Sequence, residues 1–330
     1  METEGRGRAA VITSLSPAPA GSVRAEPPGS AADVMRLTCR LHSSVTDGRD
    51  DSAMNASQNL RQAGDFGAGV SFSQARVDTP QVPCVAPRLE SVWALHEDEV
   101  REAQRLRFRV FADEMGARLT PPAGTAAGLD VDAFDACCEH LLVRSVETAD
   151  APAQVVATYR VLTPASARRV GGLYIDSEFD LSRLDALRPR MVEMGRTCIA
   201  ADWRFGGVVL MLWSALAEFM LRNRLDITLG CASVPMRDGG HHAASVWHGL
   251  RQNYLVAPEL QVLPRLALPV DDLGDDRQAE PPALIKGYLK CGGKLLGAPA
   301  WDPDFGTADL PMMLDLADLP AAYRRRFIRA

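Results

Sequence analysis

The sequence predicts an α/β (α+β) fold in which helices cover the faces of a central sheet. Two strand-like segments, 140–146 and 154–162, are separated by a short polar stretch that contains a proline, which is typical of a β-hairpin. Beyond the hairpin, strand-like and helix-like segments alternate as far as residue 316. With 330 residues, of which 47% are hydrophobic, the chain is long enough to bury a large core.

Residues 1–85 are predicted to form a disordered extension, and residues 86–330 a folded domain. The extension is rich in Ala, Gly, Ser and Pro and has almost no periodic apolar pattern, so it cannot bury enough surface to offset the entropy of ordering. A short helix near 31–41 is its one predicted element. The spacing of His42 and Asp47 matches the His-x4-Asp pattern of glycerolipid acyltransferases, and we interpret this match as a coincidence.

The first helix of the folded domain precedes the hairpin. Apolar residues recur at helical spacing through 97–115, as at Val100, Ala103 and Leu106. After the hairpin, a short helix is expected at 182–188.

The centre of the domain is predicted to be a strand, a glycine turn, a long helix and a further strand. Segment 191–199 carries polar residues at alternating positions, as a strand does. Arg204-Phe-Gly-Gly207 then opens an apolar helix that extends to about residue 222, and 226–234 forms the next strand.

The alternation continues to the end of the chain. The expected elements are a helix at 241–253, a strand at 261–270, a short helix at 281–290, a strand at 310–316 and a basic, amphipathic helix at 320–329. This last helix contacts anionic lipid or an acidic partner, or is simply a solvated helix face.

Composition and charge exclude several classes of protein. The formal net charge is −6, whereas general nucleic-acid binders are basic, so no nucleic-acid partner is expected. No apolar run reaches the roughly 18 residues of a membrane span, and the N-terminus lacks the layout of a signal peptide. Seven scattered cysteines without a Cys-x-x-Cys pair predict neither a disulfide framework nor a structural zinc site. We therefore expect a reduced, cytoplasmic protein.

Glu193 and Arg196 are the most informative polar residues of the strand at 191–199. Residues three positions apart face opposite sides of a regular strand, unless a bulge intervenes, and Gly195 would permit one. A carboxylate flanked by apolar neighbours is expected to be partly buried. Glu193 is then a general base for an attacking amine, or an ion-pair partner of Arg160 or Arg196.

Arg204, Gly206 and Gly207 form a candidate donor-binding turn. A helix N-terminus exposes free backbone N–H groups, which suit an acyl carrier such as phosphopantetheine. The alternative is a plain tight turn.

Asp130, Asp132 and Asp135 place three carboxylates within six residues. An EF-hand is rejected because no glycine lies at position six and Leu141 occupies position twelve. A clamp for a cationic substrate and a solvated turn with capping roles remain open.

No metal site and no covalent nucleophile is expected. His241, His242 and His248 have poor spacing for metal ligands and are interpreted as surface or capping residues. Cys198 is interpreted as a buried structural thiol.

Nine segments occur in an order that resembles one known family. They are Arg107-Phe-Arg-Val-Phe111, Asp130-Val-Asp-Ala-Phe-Asp135, His140-Leu-Leu-Val143, Ala157-Thr-Tyr-Arg-Val-Leu162, Val192-Glu-Met-Gly-Arg196, Gly230-Cys-Ala-Ser-Val234, Lys286-Gly-Tyr-Leu289, Pro299-Ala-Trp-Asp-Pro-Asp-Phe305 and Thr307-Ala-Asp309. This set resembles the L-ornithine Nα-acyltransferase family of bacterial ornithine-lipid synthesis, from about residue 92 to the end.

The resemblance implies a GNAT-like fold with a mixed central sheet and an N-acyltransferase activity. Members take a 3-hydroxyacyl chain from acyl carrier protein and attach it to the α-amine of L-ornithine, which gives lyso-ornithine lipid. A separate O-acyltransferase then acts on this product, so transient contact with the inner membrane is expected. No cofactor of its own is implied, because phosphopantetheine arrives on the carrier protein.

The same core resembles acyl-homoserine lactone synthases. Their charged and aromatic pattern matches Arg107 and Phe111, Asp132 and Asp135, Arg160, and Glu193 and Arg196. These synthases have a tryptophan where this chain has Ala117, and this departure favours the ornithine family. A lactone synthase, another amino-acid N-acyltransferase and a non-catalytic binding module remain alternatives.

The resemblance suggests roles for the candidate residues. Glu193 is the expected base, with Arg196 beside it, and backbone N–H groups near Gly195 stabilise the oxyanion. The substrate-binding set consists of Arg107, Phe111, Asp130, Asp132, Asp135 and Arg160, in which the aspartates hold the δ-ammonium of ornithine and Arg160 or Arg196 its carboxylate. A rival hypothesis makes Arg107, Asp132, Asp135, Glu193 and Arg196 one structural ion cluster.

Arg204 to Gly207 are one residue short of the usual GNAT pyrophosphate loop, which agrees with a carrier-protein donor rather than coenzyme A.

Overall fold

A mixed sheet forms the centre of the computed structural model, which describes residues 88–148, 152–204, 206–273 and 279–328. Within these ranges the strands are β1 (Leu89–Trp93), β2 (Glu139–Ser145), β3 (Gln154–Leu162), β4 (Phe179–Asp180), β5 (Met191–Ile199), β6 (Ile227–Pro235), β7 (Leu263–Pro264), β8 (Lys294–Leu295), β9 (Ala300–Asp302) and β10 (Thr307–Asp315). The α-helices are α1 (Glu97–Phe108), α2 (Pro164–Val170), α3 (Gly206–Arg222), α4 (His241–Tyr254), α5 (Val270–Leu273), α6 (Ala283–Lys290) and α7 (Ala321–Phe327).

The strand order of the main sheet is β1-β2-β3-β5-β6-β10-β8, and β9 also pairs with β10. Neighbours are antiparallel except for β5 and β6, which are parallel. The predicted mixed sheet and the β2–β3 hairpin are therefore confirmed.

Helices α1 and α3 cover opposite faces of this sheet. Leu142 packs with α1 residues such as Leu106, whereas its neighbours Leu141 and Val143 pack with α3 residues such as Leu212. Because side chains of a strand alternate between faces, the two helices lie on either side of β2. Helix α4 packs on the other half of the sheet, against β6 and β10.

Several predicted elements differ from those found. The strand expected at 261–270 is wrong: the segment contains only the two-residue strand β7, which pairs with β4, and α5 begins at Val270. Pro264 and Pro269 explain the difference, because proline has no N–H to donate to a sheet. The helix expected at 182–188 is reduced to a single 3₁₀ turn, Ser182–Leu184.

The first helix is α-helical only to Phe108 and continues as a π-helical turn, Arg109–Glu114. Strands β1, β4, β8 and β9 and helix α2 were not expected, because each is short and carries little periodicity. Within the described ranges, no helix combines the length and apolarity needed to cross a bilayer. The predicted extension, its helix at 31–41 and the His42–Asp47 motif lie outside the described residues, so the domain boundary stays a prediction.

Candidate active site

A β-bulge in β5 brings Glu193 and Arg196 to the same side of the strand. The pairing with β3 runs Arg160–Gly195 and then Thr158–Cys198, so β5 carries one extra residue at this point. At this bulge Arg196 has a φ of +49°, in the left-handed region that non-glycine residues rarely adopt. The bulge anticipated at Gly195 is confirmed.

Next to the bulge, the sheet opens between β5 and β6. Their parallel pairing ends at Glu193 and Leu229, although both strands continue for six residues. At the branch point the two backbones nearly touch, since a Cβ on Gly230 would lie 2.5 Å from the Met194 carbonyl oxygen. A cleft of about 870 Å³ begins here. Its walls are β5, β6, β10, α3 and α6.

Three arginines and three aspartates form a buried ion cluster behind this cleft. The Arg107 side chain is fully buried; its Nε donates to Asp130 Oδ2 at 2.9 Å and its Nη2 to Asp135 Oδ2 at 2.6 Å. Arg160 Nη1 donates to Asp132 Oδ1 at 2.6 Å and Asp135 Oδ1 at 3.0 Å. Burial disfavours the ionised form of Asp135, but the hydrogen bonds and charge of Arg107, joined by Arg160, hold its pKa well below the usual range.

Arg196 connects the ion cluster to the cleft. Its Nη2 lies 3.2 Å from Asp132 Oδ2 and its Nε 3.3 Å from Asp130 Oδ2. The guanidinium also lies over the rings of Tyr174 and Phe305, at 5.0 and 4.9 Å from their centres. Two aromatic rings and two carboxylates thus hold the guanidinium, and the side chain lines the cleft.

Glu193 is separate from the ion cluster. Its two carboxylate oxygens accept hydrogen bonds from the backbone N–H groups of Tyr174 and Ile175, each at 2.7 Å. The ion pair with Arg160 or Arg196 is absent from the contacts of the described residues, so the rival cluster hypothesis is wrong for Glu193. Burial raises the pKa of Glu193 to about 7, against the opposing effect of the two N–H donors. A buried carboxyl that titrates near neutrality and lines a cleft has the properties of a general base.

The structure separates the sequence-predicted substrate residues into two groups. Phe111, Arg160, Glu193 and Arg196 line the cleft. Arg107, Asp130 and Asp135 lie behind it, and both aspartates are saturated by arginines, so burial and ion pairing argue against their holding a substrate ammonium. Asp132 is 20% exposed and is the most accessible carboxylate of the cluster.

A second group of polar side chains was missed by the sequence analysis. Glu178, Cys231 and Asp309 bring their Oε, Sγ and Oδ atoms within 4.8 Å of one another. Cys231 Sγ donates to Glu178 Oε2 at 3.2 Å, and Thr307 Oγ1 donates to Asp309 Oδ1 at 3.0 Å. The three residues come from segments far apart in the chain, so spacing gives no signal for them.

This group differs from the ion cluster because it has no basic partner among the ion pairs of the described residues. Burial, followed by the charge of Asp309, raises the pKa of Glu178, and burial likewise raises the pKa of Asp309. The two carboxyl groups are therefore stable when they share a proton, or when a cation approaches them. Asp309 and Cys231 line the cleft.

The predicted donor turn lies at the rim of the cleft. Arg204 forms an ion pair with Glu114 and donates from Nε to the Ile199 carbonyl oxygen at 3.0 Å. Gly206 and Gly207 form the first turn of α3. Arg204 lines the cleft. Whether the turn binds a donor stays a prediction.

The thiols and histidines near the site have structural environments. Burial raises the pKa of Cys198 to about 12, which leaves it as a neutral thiol, as expected. His241 Nδ1 and His248 Nε2 contact the carbonyl oxygens of Leu273 and Val270 in α5, at 2.8 and 3.0 Å.

Comparisons with known proteins show which proteins the chain resembles. Residues 106–214 match the family described as acetyltransferase (GNAT) domain, which confirms the expected fold class. The chain is 36% identical over 248 residues to an L-ornithine N(alpha)-acyltransferase of Agrobacterium fabrum, covering 71% of this chain and 83% of that protein. It is 34% identical over 247 residues to the protein of the same name from Rhizobium meliloti, covering 71% and 82%. Among solved structures, the AHL synthase LasI is similar over 73% of this chain and 95% of its own, at 13% identity and a TM-score of 0.42.

Proposed function

The chain belongs to the L-ornithine Nα-acyltransferase family and is an acyltransferase, and on this premise we propose that it acylates the α-amine of L-ornithine. The donor in this proposal is 3-hydroxyacyl-acyl carrier protein, and the product is lyso-ornithine lipid. The observation that supports it best is Glu193, a buried carboxyl with a pKa of about 7 beside an open cleft.

The proposed reaction is a direct attack of the amine on the thioester. Glu193 removes a proton from the α-ammonium, directly or through a water molecule. The amine nitrogen then bonds to the acyl carbon, the C–S bond breaks, and the second proton lost by the nitrogen passes to the departing thiolate, while Glu193 returns its proton to solvent. The edge of β5 beyond Glu193 has no β6 partner, so backbone N–H groups near Gly195 are proposed as donors to the oxyanion.

Arg196 is proposed to hold the carboxylate of the amino acid. Its guanidinium lines the cleft three residues from Glu193, and its contacts with Asp132, Tyr174 and Phe305 fix its orientation. A guanidinium held in this way binds a carboxylate with little loss of side-chain freedom.

For the δ-ammonium of ornithine, Asp309 with Glu178 is a better candidate than the aspartates of the ion cluster. The cluster aspartates are already neutralised by three arginines. Asp309 is buried and lines the cleft, and its pKa is raised by burial because no basic partner faces it among the ion pairs of the described residues. An ammonium group beside Asp309 would stabilise the ionised carboxylate. This supports an acceptor with a basic side chain.

A long-chain acyl donor is supported by the composition of the cleft wall. Residues such as Leu210, Trp213, Met312 and Leu314 make the wall largely apolar, as an acyl chain requires. The short turn at Arg204 departs from the usual pyrophosphate loop, and a carrier protein presents phosphopantetheine without that group. The lipid product implies a cytoplasmic enzyme that contacts the inner membrane and supplies a separate O-acyltransferase.

Mass spectrometry of products formed by the purified chain tests the proposal. The protein is incubated with 3-hydroxyacyl-acyl carrier protein and ornithine, and in parallel with lysine, glutamine or S-adenosylmethionine as acceptor. We expect an amide of ornithine whose fragments place the acyl group on the α-nitrogen, and no product from ornithine blocked at that nitrogen. An acyl-homoserine lactone from S-adenosylmethionine, or efficient transfer to another amino acid only, would contradict the proposal. Replacing the carrier protein with coenzyme A separates the two donor classes.

A further inference from the structure

An apolar cavity lies behind the cleft, and we name it the inner chamber. It has a volume of about 50 Å³. The residues that line the chamber and not the cleft are Cys291 and six apolar side chains of α3, the 3₁₀ turn Leu316–Asp318 with its C-cap, and α7: Leu216, Ala217, Met220, Leu316, Leu319 and Phe327. The chamber is larger than the roughly 10–15 Å³ that a water molecule needs, but this lining offers water only the weakly polar thiol of Cys291. An apolar cavity of this kind favours a hydrocarbon occupant.

The inner chamber adjoins the cleft. Five residues line both spaces: Met194, Trp213, Thr228, Tyr288 and Leu314. Met194 and Thr228 lie at the point where β5 and β6 separate, beside Glu193. A chain that enters the cleft with its thioester near Glu193 therefore has the chamber directly beside it.

Trp213 and Tyr288 are the two aromatic residues that line both spaces. Their rings stack with centroids 5.3 Å apart. Gly287 allows this packing, because a Cβ there would lie 2.6 Å from the Trp213 ring.

We propose that the inner chamber receives the distal methylene groups of the acyl donor, and that Phe327 in its wall limits the length of chain accepted. This inference rests on the proposed acyl transfer and adds a chain-length determinant to it. The terminal helix α7 is thereby a wall of the substrate site.

Several contacts fix the position of Phe327. The ring is buried and packs edge-on against Trp213, with centroids 6.3 Å apart, and stacks on Tyr323 at 5.7 Å. Arg324 anchors α7, because its Nη2 donates to the carbonyl oxygens of Ala317 at 2.7 Å and Leu316 at 3.3 Å. A closely packed aromatic ring in the wall of a cavity excludes longer chains by overlap rather than by repulsion of charge.

Two substitutions with opposite effects on chamber volume test the inference. Phe327→Ala enlarges the chamber, and Ala217→Leu reduces it. Values of kcat/KM are measured with 3-hydroxyacyl carrier proteins of increasing length in two-carbon steps. We expect Phe327→Ala to shift the preferred length upward and Ala217→Leu to shift it downward, by about tenfold in relative kcat/KM for each two-carbon step.

Leu225→Ala is the matched control, since Leu225 belongs to the same core cluster but does not line the chamber. We expect it to lower the melting temperature without changing the length preference. If Phe327→Ala does not fold, Ala217→Leu alone decides the question. An equal change at every chain length in the folded variants would overturn the inference.

A binding measurement separates this inference from the proposed function. Calorimetric titration with 3-hydroxyacyl-pantetheine thioesters of each length needs no acceptor. If wild-type protein fails to acylate ornithine but the variants shift the length dependence of binding, the chamber stands and the proposed acceptor fails. If ornithine is acylated but neither substitution changes the chain-length dependence of binding or turnover, only the chamber inference fails.

Discussion

Glu193 and Arg196 lie three positions apart on one strand, and yet both line the same cleft. The extra residue in β5 reverses the alternation of side chains between them, and Arg196 adopts a left-handed backbone conformation as a result. The bulge thus places a buried carboxyl group and a fixed guanidinium on the same side of the strand. In a regular strand, one of the two would point into the opposite face of the sheet.

Glu193→Gln should abolish most of the activity. General-base catalysis contributes about 10²- to 10⁴-fold, so we expect a loss of kcat in that range. Because burial raises the pKa of Glu193 to about 7, wild-type kcat/KM should rise tenfold per pH unit below pH 7 and level off above it. Steady-state kinetics across this range check both effects.

Stability must be measured for the same variant. Glutamine offers one carbonyl oxygen to the two N–H donors of Tyr174 and Ile175, so a lower melting temperature is expected as well. The pH profile of the residual activity distinguishes a general base from a structural residue. If Glu193 is purely structural, the activity of the variant still falls below pH 7. If Glu193 is the base, that fall is absent. A folded variant with wild-type turnover would contradict the assignment of Glu193 as base.

The bulge was predictable from the sequence, whereas the partners of Glu193 were not. Two charged residues at spacing three, with glycine between them, indicate an irregular strand because a regular one would bury one charge on each face. The N–H groups of Tyr174 and Ile175 belong to a 3₁₀ turn with no apolar period, and backbone donors leave no mark in a sequence. Glu178, Cys231 and Asp309 meet only because β10 pairs with β6 and the segment before β5 folds against them. The sequence pattern sets neither of these long-range arrangements.

Asp135→Asn should destabilise the fold by about 3–5 kcal/mol, because it leaves two buried arginines short of their counter-charge. The ionised form of Asp135 is stabilised in the native state, so its contribution is present above the unfolded pKa of about 3.9 and is lost as pH falls below it. Urea unfolding between pH 3 and 7 should show an acid-dependent loss that is smaller in the variant. Asp132→Asn, at the more exposed position, is the control and should cost less. Equal costs for the two would show that burial does not set the strength of the cluster.

Arg196→Gly should be more stable than Arg196→Ala, despite the usual cost of glycine in a strand. Both variants lose the contacts with Asp130 and Asp132, but only glycine accepts the φ of +49° without strain. The difference should be about 1 kcal/mol in the free energy of unfolding, measured with urea. If alanine proves the more stable, the left-handed conformation does not persist without the arginine side chain.

Asp309→Asn should weaken the use of ornithine without affecting the chemistry of the α-amine. Loss of a charged contact predicts a fall of about 10- to 100-fold in kcat/KM for ornithine. The amide oxygen of asparagine still accepts the hydrogen bond of Thr307, so the fold should be retained. Norvaline, which lacks the δ-amine, is the matched substrate, and its slow turnover should be equal in the variant and the wild type. An equal loss with both substrates would assign Asp309 a structural role.

The three arginines of α7 should have two different roles. One anchors the helix, and the other two are exposed and can contact a membrane. Arg324 donates to carbonyl oxygens of Leu316 and Ala317, whereas Arg325 and Arg326 are exposed. Flotation with vesicles that contain anionic lipid should therefore weaken about 30-fold in the double variant Arg325→Ala, Arg326→Ala, with an unchanged melting temperature. Arg324→Ala should instead lower the melting temperature and relax the chain-length preference, because it releases the helix that carries Phe327. Unchanged flotation of the double variant would remove α7 from the membrane contact while leaving its role at the inner chamber intact.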